Sequence, residues 1–205
     1  YYLATRLNLT DELNLILGSR VSDYDRHYSY VNADAARAIY DLDQSSSKHG
    51  VFTPYAGITY DLNEQHTLYA SYATIFMPQA YRDRNGVMLD PRKGDTFETG
   101  LKSVFYEGRL NTAVALYQIN QDNLAVADGD YSVPGYPLET AYRQANGKTQ
   151  GLDLEVTGEL LPDWNAMVSY TYGRTEDEHH THIQTIVPEH MAKLWTTYKL
   201  KGQLN

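Results

Sequence analysis

The sequence is marked first by what it lacks. It contains no cysteine in 205 residues, which excludes disulfides and thiolate metal sites. Its apolar residues form no run close to the roughly 18 that a transmembrane helix requires. Acidic residues outnumber basic residues by 26 to 17, giving a net charge of −9. Because phosphate binding requires a basic surface, we expect no nucleic-acid partner.

Motifs of the common enzyme classes are also missing. No GxSxG, Walker, GxGxxG or HExxH pattern occurs, so we predict no catalytic residues and no enzyme activity. The histidines His179, His180 and His182 stand beside acidic residues and form a candidate transition-metal site. We interpret this segment as a solvated acidic loop, and we predict no metal site and no resident cofactor.

Period-two alternation of apolar and polar residues dominates what is present. In residues 152–157, for example, Leu152, Leu154 and Val156 alternate with Asp153, Glu155 and Thr157. Alternation of this kind indicates strands with one apolar face. It predicts nine strands, at about residues 1–9, 13–24, 49–62, 66–76, 95–106, 109–122, 142–160, 164–176 and 190–200.

The connections between these strands alternate in length. Short turns are predicted at residues 10–12, 63–65, 107–108 and 161–163, and long polar loops at residues 25–48, 77–94, 123–141 and 177–189. This alternation is typical of an outer-membrane barrel, whose periplasmic turns are short and whose extracellular loops are long. We therefore predict an all-β, antiparallel up-and-down meander of about nine strands.

The abundance of tyrosine fits the same interpretation. The chain has 19 Tyr against 4 Phe and 2 Trp. Tyrosine suits strands and membrane–water interfaces, where one end of the ring is apolar and the other is wet. Five tyrosines near strand ends fit an aromatic girdle, namely Tyr69, Tyr72, Tyr170, Tyr172 and Tyr198.

Two architectures remain open at this point, because alternation is common to both. In a soluble sandwich the apolar face packs on a second sheet, whereas in a membrane barrel it meets lipid. For the barrel, the predicted lipid-facing positions are Leu15, Leu17, Leu101, Leu152, Leu154, Val168 and Tyr170. The corresponding functions are import across a membrane and, alternatively, a soluble or cell-surface binding or structural module such as a carbohydrate-binding sandwich.

An ordered set of short strings is more specific. The strings are SYATIFMPQ (71–79), NGVMLDP (85–91), KGDTFETGLK (93–102), LNTAVALYQI (110–119), QDNLA (121–125), QGLDLE (150–155) and GELLPDWN (158–165). In this order the set resembles the barrel domain of TonB-dependent outer-membrane receptors for ferric siderophores.

The resemblance implies a 22-stranded transmembrane barrel in the outer membrane of a Gram-negative bacterium. It also implies a ferric siderophore as the ligand, a TonB energy-coupling complex as a partner through a plug segment, and lipid around the barrel. We expect residues 1–205 to be part of that barrel, with the plug domain and the remaining barrel strands absent. Independent transport by this part alone is not expected.

Aromatic and basic residues in the long loops are the candidate ligand contacts. Flat rings and Arg forks suit a bulky polar chelate. The predicted ligand-binding residues are Tyr81, Arg82, Arg84, Tyr28, Tyr136 and Arg143. The competing interpretation is that Arg82 and Arg84 pair with Asp83 and Asp90 inside their own loop.

Overall fold

The chain forms a single antiparallel sheet whose strands follow their order in the sequence. The computed structural model describes residues 1–30, 42–134, 136–183 and 187–200, without the side chains of residues 28–30, 42–44 and 136–138. The nine strands are β1 (Tyr2–Asn8), β2 (Leu13–Tyr30), β3 (Leu42–Asp61), β4 (His66–Met77), β5 (Arg92–Phe105), β6 (Leu110–Val133), β7 (Tyr136–Leu161), β8 (Trp164–Asp177) and β9 (His190–Tyr198).

The predicted meander is confirmed, and the sandwich interpretation is wrong. Every strand pairs with its neighbours in sequence, and the described residues form no second sheet on which the apolar face could pack. No helix in the described part of the chain is long and apolar enough to cross a membrane.

The four predicted short turns lie at one end of the sheet, which we call the short-turn end. Two of them are fixed by side chains that cap the turn's own backbone. Thr10 Oγ1 accepts hydrogen bonds from the N–H groups of Glu12 and Leu13, and Asn63 Oδ1 accepts from those of Gln65 and His66. Such caps favour tight connections and so fix the register of each hairpin.

At the opposite, long-loop end, two predicted loops are instead strand. Residues 123–133 and 136–141 belong to β6 and β7, and residues 25–30 and 42–48 belong to β2 and β3. The loop prediction was wrong there because apolar alternation stops while backbone pairing continues. Pairing of two strands through their backbones does not require regular apolar alternation, so the sequence pattern does not reveal these ribbons.

A bulge marks where β6 enters this ribbon. The register with β7 shifts between Gln121 and Leu124, and Asn123 adopts a left-handed backbone conformation with φ of 59°. Asn tolerates this conformation better than most residues. The bulge bends the strand and directs the Asn123 carbonyl and amide toward the neighbouring loop.

Strand register divides the sheet into an apolar face and a polar face. Directly paired residues of antiparallel strands point to the same side. The ladder Leu17–Ala56–Tyr72–Phe97 and the ladder Leu101–Val114–Leu154–Tyr170 both follow the apolar side. All seven positions predicted to face lipid share this apolar face, namely Leu15, Leu17, Leu101, Leu152, Leu154, Val168 and Tyr170. Their contact with lipid stays a prediction.

Tyr69 is the exception among the girdle tyrosines, because it lies on the polar face. Its hydroxyl donates to Glu98 Oε1 at 2.6 Å, and its ring covers Gly100, where an added Cβ would lie 2.7 Å from the ring. Tyr117 covers Gly151 in the same way on the next hairpin. Glycine therefore lets these rings lie flat along the polar face, and the assignment of Tyr69 to a girdle was wrong.

Candidate ligand-binding surface at the long-loop end

The loop between β4 and β5, residues 78–91, packs against the ribbon formed by β6 and β7 beyond the bulge. Within the loop, Arg82 and Met88 form an isolated β-bridge. Asp83 Oδ1 accepts hydrogen bonds from the N–H groups of Asn85 and Val87, each at 2.8 Å. These bonds close a tight turn at the tip, so the loop is a folded hairpin with its own internal hydrogen bonds.

Both ends of this loop are held at its base by four residues, which we call the clasp: Gln79, Asp90, Pro91 and Asn123. Gln79 Nε2 donates to the carbonyl oxygens of Asp90 (2.5 Å) and Asn123 (2.8 Å). Asn123 Nδ2 in turn donates to the carbonyl oxygen of Pro91 at 3.0 Å. The bulge of β6 is thus hydrogen-bonded to the second residue of the loop, Gln79, and to its last residue, Pro91.

The middle of the loop is attached through Tyr81 and Arg82. The rings of Tyr81 and Tyr142 lie 4.4 Å apart between centroids, and the Tyr142 N–H donates to the Arg82 carbonyl at 2.7 Å. The Arg82 side chain is 3% exposed, and its Nη1 lies 3.7 Å from Glu139 Oε2. Arg82 is therefore buried between the loop and the ribbon, whereas the Tyr81 ring remains half-exposed.

The tip of the loop is attached by Arg84. Its Nη2 lies 2.7 Å from Asp128 Oδ2, and its guanidinium carbon lies 4.2 Å from the centroid of the Tyr131 ring. The hydrogen bond to Asp128, followed by the charge of that carboxylate, raises the pKa of Arg84 above its ordinary value. The guanidinium is half-exposed, so one side of it faces solvent.

These contacts overturn the proposed pairing inside the loop. Arg82 and Arg84 pair with Glu139 and Asp128 on the ribbon, not with Asp83 and Asp90. Asp83 caps the turn at the tip instead, and the carbonyl of Asp90 belongs to the clasp. The two arginines therefore join the loop to the ribbon.

The other three predicted ligand-binding residues lie on two strands: Tyr28 on β2, and Tyr136 and Arg143 on β7. Arg143 is exposed on β7 and is near Asp177 at the outer end of β8. Hydrogen bonds from the Thr181 N–H, then from the His179 N–H, lower the pKa of Asp177, and the charge of Arg143 adds to this. Tyr28 and Tyr136 lie on strands, but their side chains are outside the described residues. Whether any of the six contacts ligand stays a prediction.

A cavity of about 800 Å³ opens beside the loop at the long-loop end. Its lining includes Met77, Gln79, Tyr81, Arg92, Glu139 and Tyr142. Arg92 and the clasp residues Gln79 and Asn123 were not predicted from the sequence. Their only sequence signal is position, since each stands where a strand meets a loop or a bulge.

Two histidines of this segment each lie beside one carboxylate. His182 Nε2 lies 3.1 Å from Glu189 Oε1, and His180 Nδ1 lies 3.5 Å from Glu176 Oε2. No group of three or more metal-ligating side chains occurs within residues 1–30, 42–134, 136–183 and 187–200. The absence of a metal site stays a prediction for the protein as a whole.

Comparison with known proteins identifies the family. The model of the "TonB dependent receptor-like, beta-barrel" family matches residues 1–205. The chain is 42% identical over 204 residues to the ferric-pyoverdine 358 receptor of Pseudomonas putida, covering 99% of the chain and 24% of that receptor. It is 38% identical to the ferripyoverdine receptor of Pseudomonas aeruginosa, covering 100% of the chain and 24% of the relative. The chain thus spans about a quarter of the length of these curated relatives.

Solved structures agree with this match. The alcaligin outer membrane receptor from Bordetella pertussis has 42% identity and a TM-score of 0.74, over 99% of this chain and 34% of that one. The outer-membrane ferripyoverdine receptor of Pseudomonas aeruginosa, solved with ferripyoverdine bound, has 37% identity and a TM-score of 0.78, over 99% and 26%. The family consists of transport receptors and not of enzymes. The chain belongs to the TonB-dependent receptor β-barrel family and forms part of the wall of a 22-stranded barrel in the outer membrane of a Gram-negative bacterium.

Proposed function

We propose that the complete receptor binds a ferric siderophore at the long-loop end and imports it by TonB-dependent active transport. The observation that carries this proposal is the loop 78–91, which is held against the β6–β7 ribbon at three levels while presenting a half-exposed ring and a half-exposed guanidinium. A surface of this kind is ordered before ligand arrives, so binding loses little conformational entropy. The relatives named above for ferric pyoverdine support the same ligand class.

The two faces of the sheet have different roles in this proposal. The apolar face meets outer-membrane lipid, and the polar face, with Glu98, Asp153 and Glu155, lines the lumen and provides a hydrated wall for the cargo. The iron enters as part of the cargo, so the proposal includes no resident cofactor, no enzyme activity and no nucleic acid. Transport by the complete receptor uses the whole barrel together with a plug segment that contacts the TonB complex.

The six candidate residues have two roles in this scheme. Tyr81 and Arg84 contact the chelate directly, because each combines attachment to the ribbon with exposed surface. Arg82 acts as a positioning residue, since its buried guanidinium fixes the loop. Contacts from Arg143, Tyr28 and Tyr136 are proposed from their places on the strands that lead to the long-loop end.

A binding titration on the purified complete receptor tests this function. The probes are ferripyoverdine, ferric alcaligin and ferrioxamine B, which are the chelates named for related receptors. We expect at least one to bind, and Tyr81→Ala to weaken that binding at least about fivefold, as for the truncation of a contact worth more than about 1 kcal/mol.

Tyr60→Ala is the matched control. Tyr60 is 47% exposed, the same fraction as Tyr81, but it lies on the apolar face near the short-turn end. Its substitution should leave affinity unchanged. Equal effects of the two substitutions would remove the loop from the binding site, and a receptor that binds none of the three chelates would contradict the proposed function itself.

A further inference from the structure

Arg92 occupies the position on β5 where the polar face reaches the long-loop end. It pairs in register with Met77, and it precedes Gly94, Thr96 and Glu98 on the same side of the strand. Arg92 and Met77 both line the 800 Å³ cavity beside loop 78–91. The cavity therefore opens on the side of the sheet that faces the barrel lumen, where a ligand would lie before import.

Among the described residues, the guanidinium of Arg92 lacks a carboxylate partner. No acidic side chain of residues 1–27, 45–134, 139–183 or 187–200 forms an ion pair with it, and its Nη2 donates to Met77 Sδ at 2.8 Å. A thioether sulfur is a weak and uncharged acceptor. The carboxylate of Glu139 also lines the cavity, but it lies 3.7 Å from the buried Arg82. Within this part of the chain, the half-buried charge of Arg92 is therefore left without a counter-charge.

The surroundings of Arg92 are held in place. The carbonyl of Pro91, the residue before it, accepts a hydrogen bond from Asn123, and Gln79 donates both of its hydrogen bonds to backbone carbonyls of the clasp. Across the cavity the rings of Tyr81 and Tyr142 pack together. The site thus combines a fixed, planar cationic fork with an aromatic wall.

We propose that this cavity is a subsite for a carboxylate group on the organic scaffold of the ferric chelate, with Arg92 as its charged partner. Met77 holds one nitrogen of the guanidinium and leaves another edge of the fork for the two oxygens of a carboxylate. Arg and carboxylate match in planarity and in spacing, and such charge-assisted pairs are roughly twice as strong as neutral hydrogen bonds. The Tyr81 and Tyr142 rings then pack against the scaffold that bears the carboxylate. The inference rests on the proposed function, because it assigns part of that same ligand.

The test uses the complete receptor and, from ferripyoverdine, ferric alcaligin and ferrioxamine B, a chelate that the parent protein binds and that bears a free carboxylate. Arg92→Gln should weaken binding between about tenfold and a hundredfold, the range expected for a lost hydrogen bond to a charged group. Arg92→Lys keeps the charge but lacks the fork, so its loss should be smaller. The affinity of the Arg92→Gln variant should also depend less on salt than that of the parent.

Lys93→Gln is the matched control. Lys93 is the next residue, carries the same charge and is exposed, but its register with Phe76 places it on the opposite face. Its substitution should leave chelate affinity unchanged. If Arg92→Gln and Lys93→Gln behave alike, the subsite is wrong.

A second measurement needs no variant, so it stays informative even if Arg92→Gln fails to insert. The same chelate is titrated against the parent receptor after its free carboxylates are capped as methyl amides. A loss of about tenfold or more supports the subsite, and unchanged affinity overturns it. If the parent binds none of the three chelates, the proposed function and the subsite fail together. If it binds only chelates without a free carboxylate, only the subsite fails. The same holds if neither Arg92→Gln nor the capping changes the affinity for a chelate that bears one.

Discussion

Introducing an arginine at Leu154 tests the assignment of the apolar face to lipid. On β7, the apolar-face residues lie between Gln150 and the short turn, from Leu152 to Leu161, with a register shift between Glu159 and Leu161, so the middle of this band is near Val156. A strand that rises about 3.4 Å per residue at a tilt of about 45° advances about 2.4 Å along the membrane normal. Leu154 is therefore about 5 Å from the midplane, where Arg costs about 2–4 kcal/mol.

We expect Leu154→Arg to lower the free energy of unfolding of the complete receptor in phospholipid vesicles by about 2–3 kcal/mol. The measurement is a urea titration followed by tryptophan fluorescence. Gln150→Arg is the depth control, because Gln150 shares the strand and the face but hydrogen-bonds to Gln118 at the edge of the band. It should cost about 0–1 kcal/mol. Equal costs at the two positions, or no cost at Leu154, would refute the assignment of this face to lipid.

Two further predictions concern the long-loop end. Gln79→Ala removes two of the three hydrogen bonds of the clasp and leaves the one that Asn123 donates. The Leu89 amide, which donates to the Tyr81 carbonyl, should therefore exchange hydrogen about tenfold faster in the complete receptor. Unchanged exchange would show that the Gln79 bonds do not hold the loop. Asp177, beyond the membrane-spanning part of β8, has a lowered pKa because the Thr181 N–H, then the His179 N–H, donate to its carboxylate. Its ionised form therefore stabilises the turn above the unfolded pKa near 4, and this stabilisation should be lost as pH falls through the lower folded pKa. Amide exchange at Thr181 should follow that course, while the Asp177→Asn variant should show no such pH dependence; a transition near pH 6 would show that another group controls the turn.

The membrane-spanning part of the fold could be predicted from the sequence because every residue on one face of each strand must be apolar. Lipid selects apolar residues at every second position, and that selection leaves the alternation seen at Leu152, Leu154 and Val156. The short turns could be predicted because Asn63, Pro162 and Asp163 favour tight turns chemically. Both signals are local, so a single sequence contains them.

The long-loop end could be predicted less well, since neither signal operates there. The ribbon of β6 and β7 buries Leu124, Val133 and Ala141 but shows no regular apolar alternation, so its strands resemble loops in the sequence. The partners of Arg82 and Arg84 are more than 40 residues away in the chain, on Glu139 and Asp128, and no periodicity relates them. Tyr69 was assigned to the wrong face because tyrosine is suited both to the membrane–water interface and to the polar face, where its ring lies over Gly100.

The candidate site depends on this same non-local packing. Sequence reasoning selected Tyr81 and Arg84 by residue type, and the structure brings both to the ribbon. Arg92 was not selected, although it is a basic residue of the predicted loop 77–94, because residue type alone does not show which members of a loop reach a cavity; β5 begins at Arg92. Only the register with Met77 shows that Arg92 points to the polar face at the mouth of the lumen.

Iron uptake by whole cells is the decisive test of TonB-dependent import by the complete receptor. A Gram-negative strain without its own ferric-siderophore receptors is given the complete receptor and supplied with ⁵⁵Fe as ferripyoverdine, ferric alcaligin or ferrioxamine B. We predict that the receptor confers accumulation of ⁵⁵Fe from at least one chelate, and that deleting TonB abolishes accumulation while leaving surface binding intact. Accumulation that does not require the receptor, or that continues unchanged without TonB, would contradict the proposed import.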